Sequence, residues 1–306
     1  MTSTERGSQH VQTSNEASSI YDLGYRRYEG ERLGRSQAVR ALYRESLRAA
    51  FGLGRSWSAK VGPAILIFFA LIPALIQLAI GALVPVDEIE FISHDDYYSD
   101  IKFIMALYVG VVAPDLVGRD QRNRSLTLYF TRAITRFDYA FAKLLAMTTA
   151  MLAITLVPQL LLLIGNALAS DEFGTFLSEN WDQVFPIFGT AFAGSWLLAS
   201  IGTLIAAQTP QRAFATVGII VAFLLPLAIA AVLVQEIHAS WADLAVFLSP
   251  MDLLDGITYW MFRTDPAPED IIAMAGYALH WSALAGLVVA LGATGLLLRR
   301  YARIQA

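Results

Sequence analysis

The chain has 306 residues, of which 56% are hydrophobic and 16% charged, and its mean hydropathy is +0.51. Soluble domains carry about 25% charge, so the deficit, together with several apolar runs near 20 residues, excludes an ordinary soluble domain and points to a membrane protein. The absence of cysteine excludes disulfides and thiolate metal sites, and the net charge of −4 hides a strong segregation of basic from acidic residues.

Residues 1–20 are polar, rich in Ser and Thr, and lack the apolar core of a signal peptide, which predicts a disordered tail. Residues 21–60 read as a cytoplasmic or interfacial segment. Within it, 37–53 (QAVRALYRESLRAAFGL) has helical periodicity. Val39, Leu42, Tyr43, Leu47, Ala50 and Phe51 share one face, while Arg40, Arg44 and Arg48 recur every four residues on another. This predicts an amphipathic helix lying in the membrane interface, the alternative being a helix packed on a neighbour. Gly52, Gly54 and Pro63 allow the turn into the membrane.

Six spans follow, over residues 61–84, 101–117, 139–165, 184–207, 213–235 and 271–298, in an all-α polytopic membrane protein. The second run is short and begins near Lys102, so it reads as a short span or a re-entrant element. The sixth is long enough to tilt or extend past the bilayer. With the N-terminus inside, 20 of the 22 Lys and Arg fall on the cytoplasmic side, leaving only Lys102 and Arg263 outside, while 17 of the 26 acidic residues lie outside. The basic asymmetry places both termini, including residues 299–306, in the cytoplasm.

The densest basic stretch joins spans two and three: GRDQRNRSLTLYFTRAITRFDYAFAK, residues 118–143. The positive-inside rule accounts for its arginines but not for the Leu126, Leu128, Tyr129, Phe130 and Ile134 among them. LTLYFTRAI predicts a short helix with one apolar side and a basic rim. A solvated loop does not expose such a cluster unpartnered, so either the protein's own helix ends or a second cytoplasmic protein covers it.

Polar residues inside the spans are few. Gln77 and Gln159 suit interhelical hydrogen bonds, with a transport pathway as the second reading, and His280, two turns into its span, suits a hydrogen-bonded interface. Asp115 is expected to pair with Arg119 one turn on. The sequence has no HExxH, GxSxG or phosphate-binding loop, so no catalytic constellation is identified. Gly194 and Ser195 suit close helix packing. Between spans five and six, residues 236–270 read as two short amphipathic helices broken at Ser249–Pro250, with Ser240 as an N-cap and Trp241, Tyr259 and Trp260 at the interface.

This layout resembles the permease subunits of ABC-2-type ATP-binding cassette transporters. The most specific stretch is LTLYFTRAITRFDYAFAKLLA (126–146), similar to that family's Leu-x-Leu, Ser-Arg-Pro-Ile-Ser-Arg and Tyr…Gly-Lys pattern, and FLSPMDLLDG (247–256) is similar to its segment before the last span. Ala133 stands where the family often has proline and Ala142 where glycine commonly precedes the lysine. The resemblance implies a coupling helix between spans two and three, formed by Leu126, Leu128, Tyr129, Phe130, Arg132, Ile134 and Arg136, that sits in a groove of a separate cytoplasmic ATPase. It further implies that ATP and Mg are bound by that partner and not by this chain, and that a second permease chain encloses the pathway. Nucleic acid has no place in this reading. The expected activity is export driven by ATP hydrolysis in the partner; the alternatives are a non-transporting membrane component of such a complex and an intramembrane enzyme.

Overall fold

The structure is a computed structural model that describes residues 34–83, 93–130, 134–170, 173–237, 239 and 241–303. The predicted tail 1–20, the segment 21–33, Arg132 and Ser240 lie outside these residues. Among the described residues the chain is helical, without a strand. The helices are α1 (Gly34–Ala50), α2 (Trp57–Leu83), α3 (His94–Ala113), α4 (Arg119–Arg122), α5 (Leu126–Phe130), α6 (Arg136–Ala169), α7 (Phe173–Glu179), α8 (Val184–Ala206), α9 (Arg212–Glu236), α10 (Pro250–Phe262), α11 (Ile271–Ala275) and α12 (Leu279–Ala302). Six helical stretches are long and apolar enough to cross a bilayer: 59–80, 94–122, 136–168, 181–206, 212–236 and 279–302. The chain is a multi-pass membrane protein.

The ends of the six spans alternate, which defines two faces. One gathers α1, the start of α2, α4, α5, the start of α6 and the end of α12, and carries most of the arginines; we term it the basic end. The other holds the start of α3, α7, α10 and α11, and is predominantly acidic.

Three expectations about the spans need correction. Span two is not short. α3 starts at His94, seven residues before the first residue predicted, and the stretch 94–122 is the most buried span, at 67% against 22% for the first and fifth. Its start hides in the polar run SHDDYYSD, where Ser93 Oγ accepts from the Asp96 amide (3.2 Å) and opens the helix. Span six does not run unbroken from residue 271. Gly276 takes a left-handed conformation (φ 68°) that ends α11, and α12 begins only at Leu279. The overlong span is instead α6. Its 34 residues extend about 51 Å at 1.5 Å each, against about 30 Å of hydrocarbon, so it tilts or projects.

α3 is central because its tyrosines reach three neighbours. Tyr97 donates to the Ala70 carbonyl on α2 (2.9 Å), Tyr98 to Ile187 on α8 (2.8 Å) and Tyr108 to Ala50 on α1 (3.0 Å). All three are fully buried, so each phenol needs such an acceptor. Gly202 permits the closest approach of α3 and α8: a Cβ there would stand 2.0 Å from Val109 Cγ1. Gly194 does the same for α8 and α10, meeting Leu254.

The apolar face of α1 is used on protein. Leu42 and Ala50 are buried in the main core, Tyr43 donates to Thr149 of α6 (3.0 Å), and Arg35 forms a two-pronged ion pair with Asp138 at the start of α6 (2.8 Å). Packing on a neighbour is therefore what the structure shows for this helix, with Arg40, Arg44 and Arg48 exposed on its other side.

Candidate functional site

At the basic end, the connection between α3 and α6 is folded tightly onto the helices it joins. Pro114 lacks an amide proton, and the chain passes it through a single π-helical turn, Pro114–Gly118, into α4. That turn aims Asp120 at α6. Asp120 forms an ion pair with Lys143 (2.8 Å) and accepts the hydroxyl proton of Tyr139 (2.7 Å). Beside it, Gln121 donates to the Ala207 carbonyl (3.0 Å) and to the Tyr301 hydroxyl (3.3 Å), and the Tyr139 and Tyr301 rings lie 5.2 Å apart, both buried. One four-residue helix thus grips α6, the end of α8 and the end of α12.

α5 closes over the same tyrosine. The rings of Tyr129 and Phe130 lie 5.5 and 5.9 Å from that of Tyr139, and the Arg136 guanidinium sits 5.7 Å from the Phe130 centroid. Leu126, Tyr129 and Phe130 are half-buried against the core, Ile134 is buried, and Leu128 is 67% exposed alongside the exposed Arg122, Arg124 and Thr127. Burial raises the Tyr129 hydroxyl above its ordinary value, with Asp120 adding to the effect. Of the two covers considered for the apolar cluster, the protein's own helix ends thus take Leu126, Tyr129, Phe130 and Ile134, while Leu128 faces outward. Arg132 lies outside the described residues. α6 itself opens with a capping box, in which Thr135 Oγ1 accepts from the Asp138 amide (3.2 Å) and Asp138 accepts from the Thr135 amide (3.0 Å).

Asp115 does not pair with Arg119 as expected. It meets Arg55 (3.3 Å) and Arg212 (3.5 Å), which ties the approach to α2, the end of α3 and the start of α9 at one node. The reason is reach. At the π turn the Asp115 side chain points between helices, where two arginines distant in sequence converge.

At the acidic end, Gln159 is fully buried and engaged twice with α3: His94 Nδ1–H donates to its Oε1 (2.5 Å) and its Nε2 donates to the His94 carbonyl (2.7 Å). This is the interhelical hydrogen bonding the sequence predicts for Gln159. Gln77 is buried too, but neither atom of its amide has a partner among the described residues. His280 is not two turns inside a span; it is the second residue of α12, exposed, with its ring 5.1 Å from that of Trp281. Lys102, read as external, lies within α3 and pairs with Asp255 of α10 (2.5 Å). Ser249 caps α10 by accepting from the Asp252 amide (3.2 Å), at the predicted Ser249–Pro250 break. Burial pushes the Asp252 and Asp255 carboxyls up to about 6, against the pull of Lys102. Burial also raises Tyr259, whose hydroxyl donates to Asp270 (2.8 Å).

A cavity of about 1070 Å³ opens at this end between the starts of α3, α8 and α12 and the end of α10, with Asn166 of α6 on its wall. Next to it lies an apolar groove of about 430 Å³ between α8, α10 and α12. Among the described residues no group of three or more His, Cys, Asp or Glu is placed to hold a metal ion.

Sequence reasoning left several residues of these clusters without a role: Asp120, Tyr139, Tyr301 and Lys143 at one end, His94 and Asp255 at the other. The pattern Ser93-x-x-Asp96, the spacing that also opens α6 as Thr135-x-x-Asp138, was the available signal for the true start of α3. Nothing local signals the Lys102–Asp255 pair, whose members are 153 positions apart. In comparisons with known proteins, the chain matches no family model and no curated sequence.

Proposed function

We propose that this chain is the membrane-spanning subunit of an export complex driven by ATP hydrolysis on a separate cytoplasmic subunit, of the ABC-2 type that its sequence resembles. The supporting observation is the way the connection between α3 and α6 is held. α4 and α5 are bound to α6 through the Asp120–Lys143 pair and the Tyr139 ring, and α4 to the ends of α8 and α12 through Gln121. A force applied to such an element moves the spans and is not absorbed by a slack loop. The outward Leu128 with Arg122 and Arg124 is the contact surface, an apolar knob in a basic rim suited to an acidic groove. In this reading the basic end faces the cytoplasm, the partner binds ATP and Mg, and a second permease chain completes the pathway.

The test is co-purification of the full-length chain from its native membranes with an ATPase subunit, followed by assay of ATP-dependent activity. Leu128→Asp should abolish both association and coupled activity while leaving the melting temperature in place. Retention of both by Leu128→Asp overturns the coupling role. Because the natural chain has no cysteine, Arg124→Cys gives a single labelling site. Labelling by a membrane-impermeant maleimide from the outside of intact cells overturns the orientation.

A further inference from the structure

We propose that the acidic-end cavity and the adjoining groove form one binding site for an amphipathic organic cation, with the cationic head held at Asp95 and the apolar chain in the groove. The inference claims binding only, and it stands whether or not the chain works with an ATPase.

The charge of the cavity sets the sign of the ligand. Its acids are Asp95, Asp182 and Asp265, against Arg263 at the rim. Asp182, Arg263 and Asp265 are exposed, so water satisfies them. Asp95 is only 8% exposed, and its charge acts on the ring of the neighbouring His94. The Ser93 hydroxyl accepts from the Asp96 amide and donates to the Asp96 carboxylate, so it is not engaged with Asp95. Buried carboxylates are paired or neutralised by something, and a carboxylate lining a cavity this size is placed to meet a cation that enters it.

Aromatic side chains set the kind of cation. Phe262 stacks on His94 (6.5 Å between centroids, 13° between planes), and Trp260 and Phe185 present exposed rings to the same space. Aromatic faces beside a carboxylate favour a large, weakly hydrated ammonium over a small hydrated metal ion. The adjacency of the two spaces gives the ligand its tail. Trp260 and Met261 line both cavity and groove, and Leu279 of the cavity is followed directly by His280 of the groove. Beyond that junction the groove is lined by Trp196, Ile257, Leu284 and Leu287 and is almost wholly apolar. A ligand bridging the two is charged at one end and hydrocarbon at the other.

The experiment uses the full chain in nanodiscs of digalactosyldiacylglycerol, an uncharged lipid without an ammonium group. Equilibrium dialysis measures octyltrimethylammonium, octyl sulfate and tetramethylammonium, with empty discs subtracting partition into lipid. The expected result is saturable binding of octyltrimethylammonium, none of octyl sulfate, and binding of tetramethylammonium weaker by about tenfold or more for want of the tail. Asp95→Asn should weaken octyltrimethylammonium binding by about tenfold. Equal binding of the sulfate, or an Asp95→Asn protein that melts normally and binds unchanged, overturns the site. Tetramethylammonium binding as tightly as the octyl compound overturns the groove as the seat of the tail. Should Asp95→Asn fail to fold, Trp260→Leu at a half-exposed position serves in its place, and unchanged binding there overturns the proposal equally.

Discussion

Replacing Lys143 with methionine tests the brace between the basic connection and α6. Its ammonium is 2.8 Å from Asp120, and the two side chains are 9% and 15% exposed, so neither charge is well hydrated once its partner is gone. Removing one member of a buried pair costs about 3–5 kcal/mol, because the other remains charged without compensation. Tyr139 still donates to Asp120, which places the expected loss for Lys143→Met near the lower end, about 3 kcal/mol. Adding Asp120→Asn removes the orphaned charge while leaving an oxygen to accept from Tyr139, so the double variant should recover about 2 kcal/mol of that loss. The measurement is a double-mutant cycle on the chain in mixed micelles, unfolded by titration with sodium dodecyl sulfate. A cycle additive to within about 0.5 kcal/mol would show that the two residues do not act as a unit. The connection would then be held by its aromatic contacts and the Gln121 hydrogen bonds, without the ion pair, and the force-transmission argument would lose its main support.

Gly202→Ala forces a Cβ to within 2.0 Å of Val109 Cγ1 and should destabilise by about 1–3 kcal/mol, whereas Gly292→Ala, which meets nothing within 4 Å, should be neutral or slightly stabilising; melting temperatures of the two variants give the comparison. Asp252 titrates near 6 in the fold and near 4 when unfolded, so between those values the folded chain holds a proton that the unfolded chain has released. Its contribution is therefore most favourable below about pH 4, is lost as pH rises to about 6 and is level above. Asp252→Asn, which also discharges a buried oxygen lacking a partner among the described residues, should raise the melting temperature at pH 7 more than at pH 4.5, and an equal effect at both would refute the assignment. Gln77→Leu removes an amide that is buried with both atoms unpartnered among the described residues, and should stabilise by about 1–2 kcal/mol in thermal melts; a loss of stability would reveal a partner for that amide.

The fold class was legible from residue order alone. Apolar run length determines how many times the chain crosses, because transfer of about 20 apolar side chains into hydrocarbon is a local sum that needs no partner. The segregation of basic from acidic residues, the arginine-rich connection and the break at Ser249–Pro250 are likewise properties of neighbouring residues. Legibility ended where a local rule met a tertiary competitor. The polar run at 93–100 reads as a loop by composition, yet Tyr97 and Tyr98 are buried in it because α2 and α8 supply acceptors for their phenols. Asp115 has an arginine one turn away and pairs with two others, since the π turn aims it elsewhere. The apolar side chains of the basic connection were visible as a cluster needing a cover. That Tyr129 and Phe130 close on Tyr139 while Leu128 faces out was decided by α6 lying alongside. Hydropathy and periodicity act through bonds along the chain, whereas ion pairs, phenol hydrogen bonds and cavities depend on which distant surfaces meet, and in this protein that was settled only by packing the helices.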